Sequence, residues 1–482
     1  MLSATREAAR ELMGVLEVAH PRRMLTFFVC LVVAAAAYGL TGDAANLSEA
    51  GRRALFAVVL AAGLWVTEAI PAFAVSILVI GLGVLLLGKP GGPFAETQSD
   101  WEAFVTVLGS PLIWLFFGGF VLAAGVSKAG LSRQLADAML RASGTGKNRV
   151  LLGAMLLTFG LSMFMSNTAT TVMLLAVLAP IIAAENTSDA ASGTKNGFGK
   201  ALLLGVAIAA NLGGMGSLIG TPPNAIAVGL LAPVPGGNIT FGGWMLFGLP
   251  PALLLMALMY LMLRVWYQTG GEIAVREQPS PAEMKGPLQR WQRMTVIITS
   301  IVTVGLWMTG GFHGIPTAAV SFLPIVLLTM SGVINAADIR TLSWDVLLLL
   351  AGGLSLGYMV SATGLAQWLV GAVPGGLTTY LVAFVLAYGT VVVSNLMSNT
   401  AAANILIPLS IALAPTAAPQ LVIPIALAAS TAMCLPISTP PNAIAYAQGG
   451  LRSRDLLRAG LVTAAAGPAI AVVWVSFVLN WL

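Results

Sequence analysis

Charged side chains are scarce in this chain. Asp, Glu, Lys and Arg make up 9% of its 482 residues, against about a quarter in an ordinary soluble domain. With 58% hydrophobic residues and a mean hydropathy of +0.91, that shortage excludes a soluble globular protein. Histidine and cysteine are scarcer still, at two each. His20 and His313 lie at the edges of apolar spans and Cys30 and Cys434 within them, in no metal-ligand or disulfide pattern. The spans offer no His spaced to serve a Cys, Ser or Asp nucleophile, so an enzyme is not expected. The net charge of +5 forms no basic stripe, which argues against a nucleic-acid partner. The alternating pattern of a membrane β-barrel is missing. A cleavable leader is missing too, because Arg6 to Glu17 mixes both charge signs and reads as a short interfacial helix.

Long apolar runs are what the chain has in abundance. Spans are expected at 24–41, 54–70, 72–88, 111–130, 243–268, 294–310, 316–333, 345–363 and 459–481, each near the ~20 residues needed to cross a hydrocarbon core. Four further stretches are interrupted. Residues 150–185 and 379–418 are too long for one span and carry Ser-Asn-Thr in the middle, at 166–168 and 398–400. They read as re-entrant helical hairpins. Residues 201–232 and 420–449 are broken by Thr-Pro-Pro-Asn, at 221–224 and 439–442, and read as half-helices joined by unwound backbone. Such backbone persists at membrane depth only where protein or a wet cavity surrounds it. The expected fold is an all-α polytopic membrane protein with 11 transmembrane helices and two re-entrant hairpins.

The interruptions belong to a repeat. Gly63-Leu64-Trp65, Ile70-Pro71, Gly118-Gly119 and Gly130-Leu131 recur as Gly305-Leu306-Trp307, Ile315-Pro316, Gly352-Gly353 and Gly364-Leu365. The order is kept in 54–268 and 294–482, with the offset drifting from 242 at Gly63/Gly305 to 218 at Thr221/Thr439. With a cytoplasmic N-terminus, only Arg52, Arg53 and Lys89 fall outside and Lys128 falls within a helix. The other 19 of the 23 basic residues lie on the cytoplasmic side, as positive-inside topology requires. The two halves then have opposite orientation, and inverted repeats with broken helices are the architecture of secondary transporters.

The motifs carry their own chemistry. Thr221 and Thr439 precede Pro as N-caps, and the Ser-Asn-Thr turns also precede helix. Four helix N-termini would converge, each presenting free N–H groups and about half a positive charge to an anion. No Lys or Arg occurs in the motifs, so bound cations are expected to help neutralise a dianion. Oxygens for a hard cation such as sodium come from Ser162, Ser166, Asn167 and the Gly220 carbonyl, and from Ser394, Asn399, Ser438 and the Met397 carbonyl. Substrate contacts are expected from Ser166, Asn167, Thr168, Thr221, Ser398, Asn399, Thr400, Thr439 and Pro440. The competing reading is that these side chains only cap helices and bridge neighbours. Duplication of both motifs in order favours a site.

Other polar and aromatic residues read as structural. Glu68 is an intramembrane acid and so a candidate for proton coupling. It lacks an acidic counterpart in the second half and lies near a span end, which favours a structural or interfacial role. Asp345 and Glu185 are expected to be solvated at span ends. Trp65, Trp244, Trp291, Trp307 and Trp344 read as interfacial anchors. The Gly-Gly pairs mark close helix packing, since no P-loop Lys follows.

The paired Ser-Asn-Thr and Thr-Pro-Pro-Asn motifs, Leu64-Trp65 and Thr67-Glu68-Ala69-Ile70-Pro71 together resemble the divalent anion/sodium symporter family, over essentially the whole chain. The resemblance implies that the hairpin tips contact substrate carboxylates and sodium, and that Gly220, Thr221, Ser438 and Thr439 complete two sodium sites. Ser394 stands where the family often has Thr. It further implies a homodimer of elevator type in the cell (inner) membrane. In that division 1–23 is a cytoplasmic interfacial helix, 24–149 and 294–378 form the scaffold, and 150–268 and 379–482 form the transport domain. The expected activity is sodium-coupled symport of C4 dicarboxylates such as succinate, malate and fumarate. The alternatives are symport of sulfate or another divalent oxyanion, and sodium-independent dicarboxylate exchange; a passive channel is disfavoured by the mid-membrane polar site.

Overall fold

The computed structural model describes residues 2–42, 47–192, 197–267, 269–273, 288–371 and 376–481, with backbone alone at 2–20, 186–192 and 370. The interfacial face expected between Arg6 and Glu17, and the His20 ring, lie outside the described side chains. Among the described residues regular structure is helical, apart from one isolated bridge between Gly146 and Glu272. Among the described residues nine helices are long and apolar enough to cross a membrane, or ten if the bent pair Asn399–Leu413 and Pro415–Ala429, which meet at 115°, counts as one span. The segments expected to span at 72–88 and 316–333 form shorter apolar helices, Ala72–Gly88 and Thr317–Met330. Pro71 and Pro316 set where each begins, as N-caps of Ala72–Leu82 and Thr317–Val320. The expected separate N-terminal helix and first span are one helix, Leu2–Leu40, with Pro21 inside it.

The chain forms two compact units. The first comprises Met1–Leu108 and Leu348–Pro374. In it Leu2–Leu40 packs along Glu49–Thr67, which ends at Glu68 with φ 50 and ψ 31. This is the only non-glycine residue at positive φ among those described. Gly352 meets Ser76 so closely that a Cβ there would lie 2.2 Å from the serine Cβ.

The second unit comprises Gly109–Leu347 and Gly375–Leu482. Here Gly118 meets Ser321, with a Cβ at 118 falling 2.4 Å from the Ser321 carbonyl oxygen. Both Gly-Gly pairs therefore mark close backbone approach. Eight helices of this unit carry the motifs: α1 (Lys147–Ser162), α2 (Asn167–Ser192), α3 (Phe198–Met215), α4 (Pro222–Leu231), α5 (Thr379–Leu396), α6 (Asn399–Leu413), α7 (Ala418–Ala429) and α8 (Pro440–Ala447).

The packing of these helices repeats. Both arms of the first hairpin, α1 and α2, lie against α3, and both arms of the second, α5 and α6, lie against α7. The helices after the breaks cross over: α4 packs on α6 and α7, and α8 on α2 and α3. Every residue of α3 except Lys200 is buried, consistent with its run of Ala, Gly, Leu and Val. Two ion pairs hold the bases of these helices. Lys147 on α1 meets Glu185 on α2 at 2.6 Å, and Lys200 on α3 meets Asp455 of Ser453–Trp481 at 3.0 Å.

Two sequence expectations are corrected. Glu185 is 2% exposed and paired rather than solvated, because Lys147 is close enough to offset its desolvation. Trp65, Trp244 and Trp307 are not interfacial anchors. They are at most 2% exposed, and their indole N–H groups donate to the carbonyls of Ala72, Met215 and Thr317. Each satisfies a carbonyl near a helix end from inside the protein. Trp291 and Trp344 are exposed.

Candidate functional site

Each hairpin turns at its Ser-Asn-Thr. Ser166 Oγ accepts from the Ala169 N–H at 3.2 Å and Ser398 Oγ from the Ala401 N–H at 3.2 Å, so both serines cap the helix that follows. Capping uses one lone pair and leaves each hydroxyl its proton and a second lone pair.

Behind each tip is a cluster of oxygens. Ser162 Oγ lies 2.6 Å from Asn167 Oδ1 and 2.7 Å from the Ala210 carbonyl oxygen. In the second half Ser394 Oγ lies 2.7 Å from Asn399 Oδ1 and 3.2 Å from the Ala429 carbonyl oxygen. One hydroxyl proton serves two acceptors in each cluster, so both corners are rich in oxygen and poor in protons. That donor set suits a hard cation. Gly214 keeps the first corner open: a Cβ there would lie 2.8 Å from Asn167 Oδ1.

The breaks end in the Thr-Pro-Pro-Asn elements. Thr221 and Thr439 have extended backbone (φ −150 and −142), and helix restarts at Pro222 and Pro440, where a missing N–H costs nothing. The motif Asn reaches back to carbonyls that the break has freed. Asn224 Nδ2 donates to Gly214 and Ser217, at 2.9 and 2.7 Å, and Asn442 Nδ2 to Met433 and Leu435, at 2.9 and 3.1 Å. The Oδ1 atoms of both asparagines are buried without a hydrogen-bond partner.

These elements surround one cavity of about 210 Å³ in the second unit. Of the residues expected from sequence, Ser166, Asn167, Thr168, Gly220, Thr221, Ser398, Asn399, Thr400, Ser438, Thr439 and Pro440 all line it. Ser162 and Ser394 are fully buried, one hydrogen bond behind the wall. Met397 is 5% exposed at the second tip and is not part of the lining. The N-termini of α2, α4, α6 and α8 all open on this cavity, and no described charged side chain lines it. Its favourable potential for an anion therefore comes from helix ends, hydroxyls and amides.

Sequence reasoning missed several members. Phe116, Phe120, Ile219 and Val346 give the cavity an apolar wall, and Ser343 and Asn211 add polar groups. Asn211 carried a usable signal, being the one polar side chain in an otherwise apolar stretch from Ala201 to Met215. Asn395 was also missed. Its Oδ1 accepts from the Cys434 N–H at 2.8 Å and from Ser438 Oγ at 2.9 Å, tying the second hairpin to the break. In the first half Ser217 makes the equivalent tie, its hydroxyl donating to the Met163 carbonyl and accepting from the Gly220 N–H.

The chain is similar to known proteins. The family model described as the sodium:sulfate symporter transmembrane region matches residues 22–482. A sodium-dependent dicarboxylate transporter of Staphylococcus saprophyticus is 30% identical over 448 residues, covering 86% of this chain and 83% of that protein. Its counterpart in Staphylococcus aureus is 29% identical over 428 residues, covering 82% and 80%. Among solved structures, the YdaH transporter of Alcanivorax borkumensis aligns with a TM-score of 0.50 at 14% identity, covering 84% of this chain and 97% of that one. That likeness concerns the fold alone. The match across nearly the entire chain places it in the sodium:sulfate symporter family, that is, among the divalent anion/sodium symporters, a family of multi-pass membrane transporters.

Proposed function

We propose that this protein is a sodium-coupled importer of C4 dicarboxylates such as succinate, malate and fumarate. The observation that carries the reading is a single cavity lined by both Ser-Asn-Thr tips and both Thr-Pro-Pro elements, with no charged side chain among the described residues of its wall. Two carboxylates can each face one tip, with the apolar wall of Phe116, Phe120, Ile219 and Val346 beside the methylenes. Its volume, below the about 300–1,000 Å³ of drug-sized pockets, suits a small ligand. A dianion in a neutral cavity needs compensating cations, and the Ser162 and Ser394 oxygen corners are the places for them. The staphylococcal relatives, described as sodium-dependent dicarboxylate transporters, support the same substrate and ion.

The reading carries an architecture with it. Eleven crossings and two re-entrant hairpins form inverted repeats, with a cytoplasmic N-terminus in the cell membrane. Residues 24–149 and 294–378 act as scaffold in a homodimer, and 150–268 and 379–482 move as an elevator. Sulfate is the second reading, favoured by the family description. Uptake of labelled succinate into proteoliposomes, with and without an inward sodium gradient, separates these readings. Sodium-driven accumulation that sulfate does not compete away supports the dicarboxylate symporter. Competition by sulfate at low concentration supports the oxyanion reading, and gradient-independent counterflow supports an exchanger.

A further inference from the structure

We propose that Asn211 is a positioning residue that converts the Thr439 hydroxyl into a fixed hydrogen-bond donor for the bound anion. The two carboxylate subsites are then unequal. This inference rests on the dicarboxylate reading above.

Asn211 is 1% exposed and borders the cavity. A buried amide in such an apolar helix is costly unless bonded. Its Nδ2 donates to Thr439 Oγ1 at 3.0 Å, across 228 residues of chain and from one repeat to the other. The same oxygen accepts from the Asn442 N–H at 3.4 Å. A threonine hydroxyl has two lone pairs and one proton. With both lone pairs engaged, only the proton remains for a ligand, and Thr439 borders the cavity. A hydroxyl in that state donates to a carboxylate oxygen. It has no lone pair left for sodium, so Thr439 belongs to the anion and not to the cation site that the family resemblance implied for it.

Thr221, the matching threonine, lacks this device. The residue following the Ala429 carbonyl, as Asn211 follows that of Ala210, is Ser430, whose Oγ is buried without a partner. Serine is too short to do what the asparagine does. Thr221 correspondingly makes no side-chain cap bond, and its hydroxyl remains free to rotate. One carboxylate therefore meets a pre-set donor at Thr439, and the other meets an adaptable hydroxyl at Thr221.

The test is succinate binding by calorimetry on the purified protein in saturating sodium, paired with ²²Na binding in the absence of succinate. Asn211→Leu should weaken succinate binding about threefold, because the Thr439 hydroxyl stays but is no longer held as a donor, and leave ²²Na binding unchanged. Thr439→Val, which removes the donor, should weaken it roughly tenfold, Thr439→Ser should stay within about twofold of wild type, and the Asn211→Leu/Thr439→Val double variant should be no worse than Thr439→Val alone. Should Asn211→Leu not fold, the valine and serine variants carry the test through the same pair of readouts. Unchanged succinate affinity in Asn211→Leu or Thr439→Val, an equal shift in ²²Na binding, or multiplicative losses in the double variant would overturn the inference while leaving the dicarboxylate reading intact. A wild type that binds no succinate in sodium would overturn both.

Discussion

The two hairpin tips reach the cavity with the same bonds, whereas the loops behind them are tied down by different residues. Ser166 and Ser398 cap alike, and Ser162 and Ser394 each contact the following asparagine and a carbonyl of the helix behind. In the loops the closing hydroxyl has changed ends. Ser217 begins its four-residue turn and bonds forward to the Gly220 N–H; Ser438 ends the matching turn and bonds back to the Leu435 N–H. Both turns must be anchored to a hairpin, because broken backbone in a membrane protein cannot leave its polar groups unpaired. Which residue anchors them is free to drift. The drift has a consequence for the site: the Ser217 hydroxyl is buried away from the cavity, while Ser438 lines it. With the Asn211–Thr439 bond added, the second half offers the more fixed polar surface.

That comparison can be broken most severely at the tips. Asn167→Ala and Asn399→Ala should each reduce uptake at least about 100-fold with membrane insertion intact, since each removes a cation oxygen and an amide donor together. Near-normal uptake in either variant would mean that one tip suffices. Next come the cation corners. Ser162→Ala and Ser394→Ala should each raise the sodium concentration for half-maximal uptake, by roughly tenfold for the tighter Ser162 corner and less for Ser394, whose carbonyl contact is 3.2 Å. High sodium should partly rescue both; a sodium titration of uptake reads this directly. Asn395→Leu should cost about 1–3 kcal/mol of stability by stranding the buried Cys434 N–H, whereas Met163→Leu, at the matching place in the first half, should leave the melting temperature nearly unchanged. The smallest effect concerns Glu68. The turn before Ile315-Pro316 places Gly314 at φ 70, whereas that before Ile70-Pro71 places Glu68 at φ 50. Glu68→Gly should stabilise by about 0.5 kcal/mol, the relief of left-handed strain less the entropy of glycine, without altering uptake.

Much of this was legible in the sequence, for a physical reason. Polar triplets and double prolines are expensive in apolar runs, so their survival in duplicate marked the tips and breaks. The Gly-Gly pairs, read as packing marks because no P-loop Lys follows them, are close contacts at Gly118 and Gly352. Sequence reasoning failed where a residue acts through long-range bonds. Asn211 and Asn395 each look like an ordinary bridging amide until the fold brings Thr439 and Cys434 beside them. Trp65, Trp244 and Trp307 were misread because closeness to a span end suggests the interface, and only packing shows that the indole instead closes a carbonyl inside. Glu185 was misread because its partner Lys147 lies 38 residues away, across the hairpin.

The central claim is that bound sodium supplies the charge compensation that the cavity wall lacks. Calorimetric titration of the purified protein with succinate, once in sodium and once in choline, tests it most directly. Succinate should bind in sodium and be undetectable or far weaker in choline, and by reciprocal linkage sodium affinity should rise by the same factor when succinate is present. Equal succinate affinity in the two salts would contradict it.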